Sequence, residues 1–209
     1  MREHTETEKK IFDAALEVFG EQGRAAARMQ EIATRAGINK ALVHYYFRSK
    51  EKLYEEVFEY LLMQYFSLIG EAIVEAGSFE ETLRKFIDTF LDILQENPHL
   101  PRFMLRELSS GSPVFEERMR NLIGSSRLQT PRAFMLQFNR AVARKEIVPL
   151  DPVQTLLSLL GACIYFFAAY PIISIIEPEI ATHRKQFIAK RKKELFALFY
   201  YGLRPRPGE

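Results

Sequence analysis

Four times along this chain a small polar residue stands directly before a proline: Asn97-Pro98, Ser112-Pro113, Thr130-Pro131 and Asp151-Pro152. Each pair reads as a helix start. The polar side chain accepts from a first-turn N–H that has no helical partner. Proline at the first helical position forgoes an N–H that would have gone unbonded anyway. Thr5 with Glu8 and Ser78 with Glu81 have the spacing of a capping box, and Asp151 with Gln154 is similar. Ile11, Ala14, Ala15, Val18 and Phe19 line one face of the first helix, which Gly20 and Gly23 are expected to end. A short helix is expected from Met29 to about Ala36, stopping at Gly37, and another from Lys40 to Phe47 with Asn39 as its cap. Ser49 caps a fourth, running from Lys50 to about Ala76. No period-two run, hairpin dipeptide or internal repeat is present. The expectation is an all-α chain of about nine helices and no sheet.

Composition narrows the function. At 209 residues and 47% hydrophobic content the chain can bury a substantial core. A single cysteine excludes a disulfide framework and a cysteine-rich zinc site, and points to the reducing cytoplasm. The four histidines are far apart and lack metal-ligand spacing, so no metal and no cofactor are expected. The charged stretch Met1–Lys10 does not read as a secretory signal. No Ser/His/Asp, Cys/His or paired-carboxylate arrangement and no phosphate-binding glycine loop can be argued, so the chain is not expected to be an enzyme. Glu80-Glu81 and Glu116-Glu117 read as acids beside helix N-termini.

The net charge is only +2, so any nucleic-acid binding must come from a local cluster. One exists. Between Gly23 and Lys50 lie Arg24, Arg28, Arg35, Lys40, Arg48 and Lys50 against the single acid Glu31, a net +5. Within that stretch Gly37-Ile38-Asn39 joins two short helices, the pattern of a helix-turn-helix. Ile32, Ala33, Ile38, Val43 and Phe47 would form its core, with Ala33 small enough for two helices to cross closely. The second helix of such a motif enters the major groove. Lys40 stands at its entering end, His44, Tyr45 and Tyr46 along it, and Lys50 just beyond it.

The stretch from Gln30 to Leu53, with its Ile32-Ala33, Ala36-Gly37-Ile38, Tyr45-Tyr46-Phe47 and Lys50 positions, closely resembles the DNA-binding motif of the TetR/AcrR family of bacterial regulators. Phe19-Gly20-Glu21-Gln22-Gly23 upstream also fits. The resemblance implies an N-terminal three-helix DNA-binding domain over 1–50 and a larger helical effector-binding and dimerisation domain over 51–209. It also implies a homodimer built on the last two helices. Carried over by position, the DNA contacts fall on Arg28, Gln30, Lys40, Ala41, Leu42, His44, Tyr45, Tyr46 and Lys50. Lys40 suits guanine, Ala41 and Leu42 thymine methyls, and Tyr46 and Lys50 phosphate. Two positions depart from the family: Arg28 replaces the usual Thr or Ser, and His44 the usual Tyr.

The remainder resembles the family only in length, helix content and ending. Val153–Ile176 is an uncharged apolar run of 24 residues, long enough to cross a bilayer. Pro171 and scattered Ser158, Gly161 and Ser174 favour a buried core and dimer helix instead, so no membrane partner is expected. A last helix over about Glu179–Leu203 pairs apolar residues with seven basic ones, from His183 to Lys193. A helical adaptor, or a membrane-surface protein using that basic helix, is the rival to a regulator. If the family architecture holds, some of Phe86, Phe90, Phe103, Met104, Phe134, Phe138, Tyr165, Phe166 and Tyr170 line an apolar pocket for a small effector of unknown identity. Arg102, Arg106 and Glu107 are candidates to orient a polar group on it. The reading is a ligand-responsive repressor that binds double-stranded palindromic DNA as a homodimer.

Overall fold

A computed structural model describes residues 5–111, 113–124 and 130–205. Among them are eleven helices and no strand. They are α1 (Glu6–Ala26), α2 (Met29–Arg35), α3 (Lys40–Phe47), α4 (Lys50–Val74), α5 (Phe79–Glu96), α6 (His99–Ser110), α7 (Pro113–Gly124), α8 (Thr130–Ala143), α9 (Pro152–Ile176), α10 (Glu179–Thr182) and α11 (Arg184–Leu203). The all-α expectation holds; the count is higher than nine. One cause is a break at His183, whose φ of −117° and ψ of 34° split the expected last helix into α10 and α11.

Most start signals act as the sequence suggests. Thr5 and Glu8 form the full capping box, with bonds of 2.8 and 3.2 Å. Asn39 Oδ1 accepts from Ala41 N at 2.8 Å, and Asp151 Oδ1 from Gln154 N at 2.8 Å. Ser78 Oγ accepts from Glu81 N at 3.2 Å, and Ser49 Oγ from Lys52 N at 3.1 Å. Three signals behave otherwise. Pro98 itself occupies the cap position of α6. Thr130 is already helical, and its hydroxyl donates to the Phe66 carbonyl of α4. Ser112 lies outside the described residues.

Gly20 does not end α1, whereas Gly23 does interrupt it as expected, with φ 77° and ψ 166°. Gly20 is buried, and a Cβ there would sit 3.1 Å from the His99 carbonyl of α6, so glycine here permits close packing of two helices. Gly23 kinks the helix at φ 77°, and one further turn follows. α9 likewise runs on through Pro171.

By contact the chain divides into two compact units, Met1–Gln64 with Asn97–Arg118, and Tyr65–Glu96 with Met119–Glu209. The first is built on Ile11, Phe12, Phe19, Ile32, Val43, Phe47, Leu53, Phe58 and Phe103, all nearly inaccessible to solvent. Phe12 meets Phe47 at 5.4 Å, and Phe19 stands edge-on to Tyr54 at 5.1 Å. The second unit is built on Phe79, Phe86, Phe134, Phe138, Leu159, Cys163 and Phe166. α4 and α9 are long and apolar enough to cross a membrane by length and composition alone. In α9 the apolar surface is divided between a buried stripe of Leu156, Leu159, Cys163 and Phe166 and an exposed one of Leu157, Tyr165, Ile172, Ile175 and Ile176.

Candidate nucleic-acid interface

The turn between α2 and α3 depends on Gly37. Its φ is 67°, and no atom lies within 4 Å of where a Cβ would stand, so backbone freedom rather than space is what glycine supplies. Ile38 N donates to Ala33 O at 3.0 Å and Gly37 N to Thr34 O at 3.2 Å, closing the end of α2. Ile32 and Ala33 of α2 and Val43 and Phe47 of α3 are buried, so the crossing of the two helices is set by apolar packing.

With Val43 and Phe47 turned inward, the other face of α3 is left to solvent. Lys40, Ala41, Leu42, His44 and Tyr45 are exposed there, and Tyr46 is half-buried. Tyr45 is 78% exposed, a high value for an aromatic ring, and stands edge-on to Tyr46 at 5.5 Å. Arg28, the N-cap of α2, makes no side-chain capping bond and is exposed, as is Gln30. A guanidinium thus occupies a position where a hydroxyl would have closed the helix end.

The cationic cluster is less uniform than its sequence count. Arg35 turns back onto α1 and α2: its Nη2 lies 2.6 Å from Glu21 and 2.9 Å from Glu31, and its Nη1 lies 3.6 Å from Glu17. The hydrogen bond from Arg35 holds the Glu21 carboxyl below its ordinary range. Gln22 adds a bond to Glu31 at 2.6 Å. Arg24 lies over the Tyr54 ring at 5.4 Å. Lys50 Nζ donates to the Ala25 carbonyl at 2.9 Å, so its ammonium is engaged with the end of α1. Arg106 of α6 reaches the same corner, donating to Glu21 O at 3.1 Å. Arg28, Lys40 and Arg48 remain outward-facing cations of the cluster. The count of +5 missed this because Glu17 and Glu21, which neutralise Arg35, lie before the counted stretch and meet it only in three dimensions.

The nine aromatic and apolar positions named as effector candidates are distributed over both units. Phe134 and Phe138 pack with Phe79, and Phe86 with Phe134, at ring distances of 5.5–6.3 Å; all are buried, and Phe90 touches Phe86 at 5.7 Å. Phe166 meets Tyr170 at 5.8 Å, while Tyr165 is 67% exposed. Phe103 and Met104 belong to the first unit, where Phe103 packs on Tyr54 at 5.7 Å. Arg106 lies against the α1 corner, and Glu107 is buried in the first unit. A cavity of about 240 Å³ in the second unit is lined by other residues, among them Phe79, Glu80, Glu146, Tyr200 and Arg204.

A buried apolar seam, a glycine turn and an exposed second helix bearing cationic and aromatic side chains define the helix-turn-helix class of DNA-binding proteins. Residues 11–57 match the family model described as "Bacterial regulatory proteins, tetR family". This segment of the chain is thus similar to the DNA-binding region of that family of regulators. The chain is 26% identical over 200 residues to the HTH-type transcriptional regulator RutR of Escherichia coli K12, covering 95% of this chain and 91% of that one. It is 56% identical over 45 residues, 22% of each chain, to the regulator BetI of Rhizobium meliloti. Among solved structures it resembles the transcriptional regulator FadR of Bacillus subtilis in complex with stearoyl-CoA, with a TM-score of 0.70 at 18% identity, covering 93% of this chain and 98% of that one. The fatty acid degradation regulator FadR of Bacillus halodurans gives a TM-score of 0.75 at 18% identity, covering 98% of this chain and 100% of that one. At such identities the structures speak to fold alone.

Proposed function

We propose that this chain is a ligand-responsive repressor that binds a palindromic DNA operator as a homodimer in the cytoplasm and leaves it when a small apolar or aromatic effector binds. The carrying observation is the solvent face of α3, where Lys40, Ala41, Leu42, His44 and Tyr45 lie exposed opposite the buried Val43 and Phe47. In this reading 1–50 reads DNA and 51–209 binds effector and partner. Lys40 reads a guanine edge, Leu42 and Ala41 meet thymine methyls, and Arg28, Gln30, His44, Tyr45 and Tyr46 hold the backbone and neighbouring base edges. Lys50 spends one of its three donors on Ala25 O and would join them at a phosphate through the others.

A palindrome requires two copies whose recognition helices lie about 34–36 Å apart. The exposed apolar stripe of α9, together with Leu198 and Tyr201 of α11, supplies the surface a second copy would cover. The basic last helix is a poorer platform for an adaptor or a lipid surface than its sequence suggests. Lys192 pairs with Asp92 at 2.6 Å, Arg191 donates to Ala162 O, and Arg184 lies over Tyr170 at 4.8 Å. The stearoyl-CoA bound by the Bacillus subtilis neighbour favours an apolar effector, and buried or half-buried rings such as Phe86, Phe90, Phe166 and Tyr170 are its candidate walls. The effector acts by preferring a state with another recognition-helix spacing, and α4, which crosses the boundary between the units in the chain, is the natural lever.

Fluorescence anisotropy with palindromes from the chain's own promoter tests this reading. Preference for one palindrome over its scrambled form, falling steeply with salt, is expected; equal affinity for both would defeat it.

A further inference from the structure

Between α3 and α4 the chain reverses through a single strained residue. Arg48 has φ 54° and ψ −43°, and Ser49 N donates to Phe47 O across it. A bond between residues two apart at positive φ is the rarer form of γ-turn, which a residue with a Cβ adopts under strain and glycine adopts freely. Among the described residues only Arg48 and Lys145 are non-glycines at positive φ. Two further bonds hold the turn. Arg48 N donates to His44 O at 2.9 Å, and His44 Nδ1 lies 3.2 Å from the Arg48 carbonyl. A carbonyl only accepts, so the ring is held as the tautomer with hydrogen on Nδ1.

The side chain at this turn is exposed, and among the described residues no carboxylate lies within ion-pair distance of it. It follows directly on the solvent face of α3 and precedes exposed Lys52 at the start of α4. Its neighbours in the cluster are otherwise engaged, Arg24 with Tyr54, Arg35 with three carboxylates and Lys50 with Ala25 O. A cation is thus kept at the end of the recognition helix, at a position whose backbone would be more relaxed as glycine.

We infer that Arg48 is a phosphate-binding residue of the DNA-reading face, and that His44 is its positioning residue, latching the turn through Nδ1. The inference rests on the DNA-binding reading above but concerns a residue that reading does not use.

The test uses the full chain and a fluorescein-labelled mixed-sequence duplex of about 30 base pairs, titrated at several salt concentrations. Arg48→Gly removes the charge and relaxes the backbone. It should keep or raise the melting temperature while weakening duplex binding roughly five- to tenfold at 0.1 M salt and reducing the salt slope by about one. Arg48→Lys should keep the slope. His44→Ala should weaken binding in the parent chain by more than it does in the Arg48→Gly chain, where only its own contact remains to be lost. Arg28→Ala is the control: if it weakens binding and Arg48→Gly does not, this inference falls and the DNA-binding reading stands. If the parent chain shows no salt-dependent duplex binding, both fall. Additive effects of His44→Ala and Arg48→Gly would overturn the latch.

Discussion

At the scale of single residues, the helix-turn-helix separates cations that build from cations that remain outward. Arg35, gripping Glu17, Glu21 and Glu31, pins α2 to α1, so its charge is largely cancelled before any DNA arrives. Arg48 carries the opposite arrangement, a cation with no ion-pair partner among the described residues, on a backbone whose strain costs about 1–2 kcal/mol for a residue with a Cβ. Lys40 has no such second role, so its contribution should appear as sequence reading. Lys40→Ala is expected to remove about 1–3 kcal/mol of discrimination between operator and scrambled duplex, read from paired binding isotherms. Cys163 is the contrasting case of a buried group. It is fully inaccessible, and burial pushes its thiol up to about 12, only partly opposed by nearby Arg191. The thiolate is the reactive form, so at pH 8 the native chain should resist a thiol reagent such as DTNB, and react fully once unfolded in guanidinium. Rapid native labelling would show that α9 opens on its own.

At the scale of elements, the helices are set by short signals, but their neighbours decide how far they run. Gly20 lies inside α1 because α6 packs close against it, and the same residue type ends α2 at Gly37, where nothing packs and the backbone turns left-handed. The aromatic helices α5 and α8 illustrate the choice between core and effector wall. Phe134 is wholly buried against Phe79, Phe86 and Phe138. Its truncation to alanine should therefore cost about 3–5 kcal/mol of stability in a denaturant melt. A loss below about 1 kcal/mol would show a site with free volume, and would return Phe134 to the candidates for effector contact.

At the scale of the whole molecule, the proposed reading of a palindrome requires two chains. α9 leaves Leu157, Tyr165, Ile172, Ile175 and Ile176 to solvent in a single copy, a larger apolar stripe than an isolated chain readily leaves exposed. A charge in that stripe should separate the copies. Leu157→Glu is expected to shift the chain from dimer to monomer in light scattering after size exclusion. It should also abolish preference for a palindrome while leaving weak, salt-sensitive binding to any duplex. A variant that stays dimeric would place the partner surface elsewhere.

Helix content, most caps and the Met29–Phe47 motif were legible in the sequence because they rest on local interactions, at most a few residues apart. The Thr5–Glu8 box, the Asn39 cap and the Gly37 turn each close within that range. The resemblance to the tetR family was legible for the same reason, since the matching segment lies within 11–57. Which charges face outward was not legible. Arg35 is neutralised by acids 14 and 18 positions back in the chain, and Lys50 donates to a carbonyl 25 positions back. Nor was the grouping of the aromatics, since Phe103 and Phe134 look alike in sequence yet lie in different units. Short-range hydrogen bonding and periodicity are written into neighbouring residues. The sign of a surface and the company of a ring depend on segments that meet only when the chain has folded.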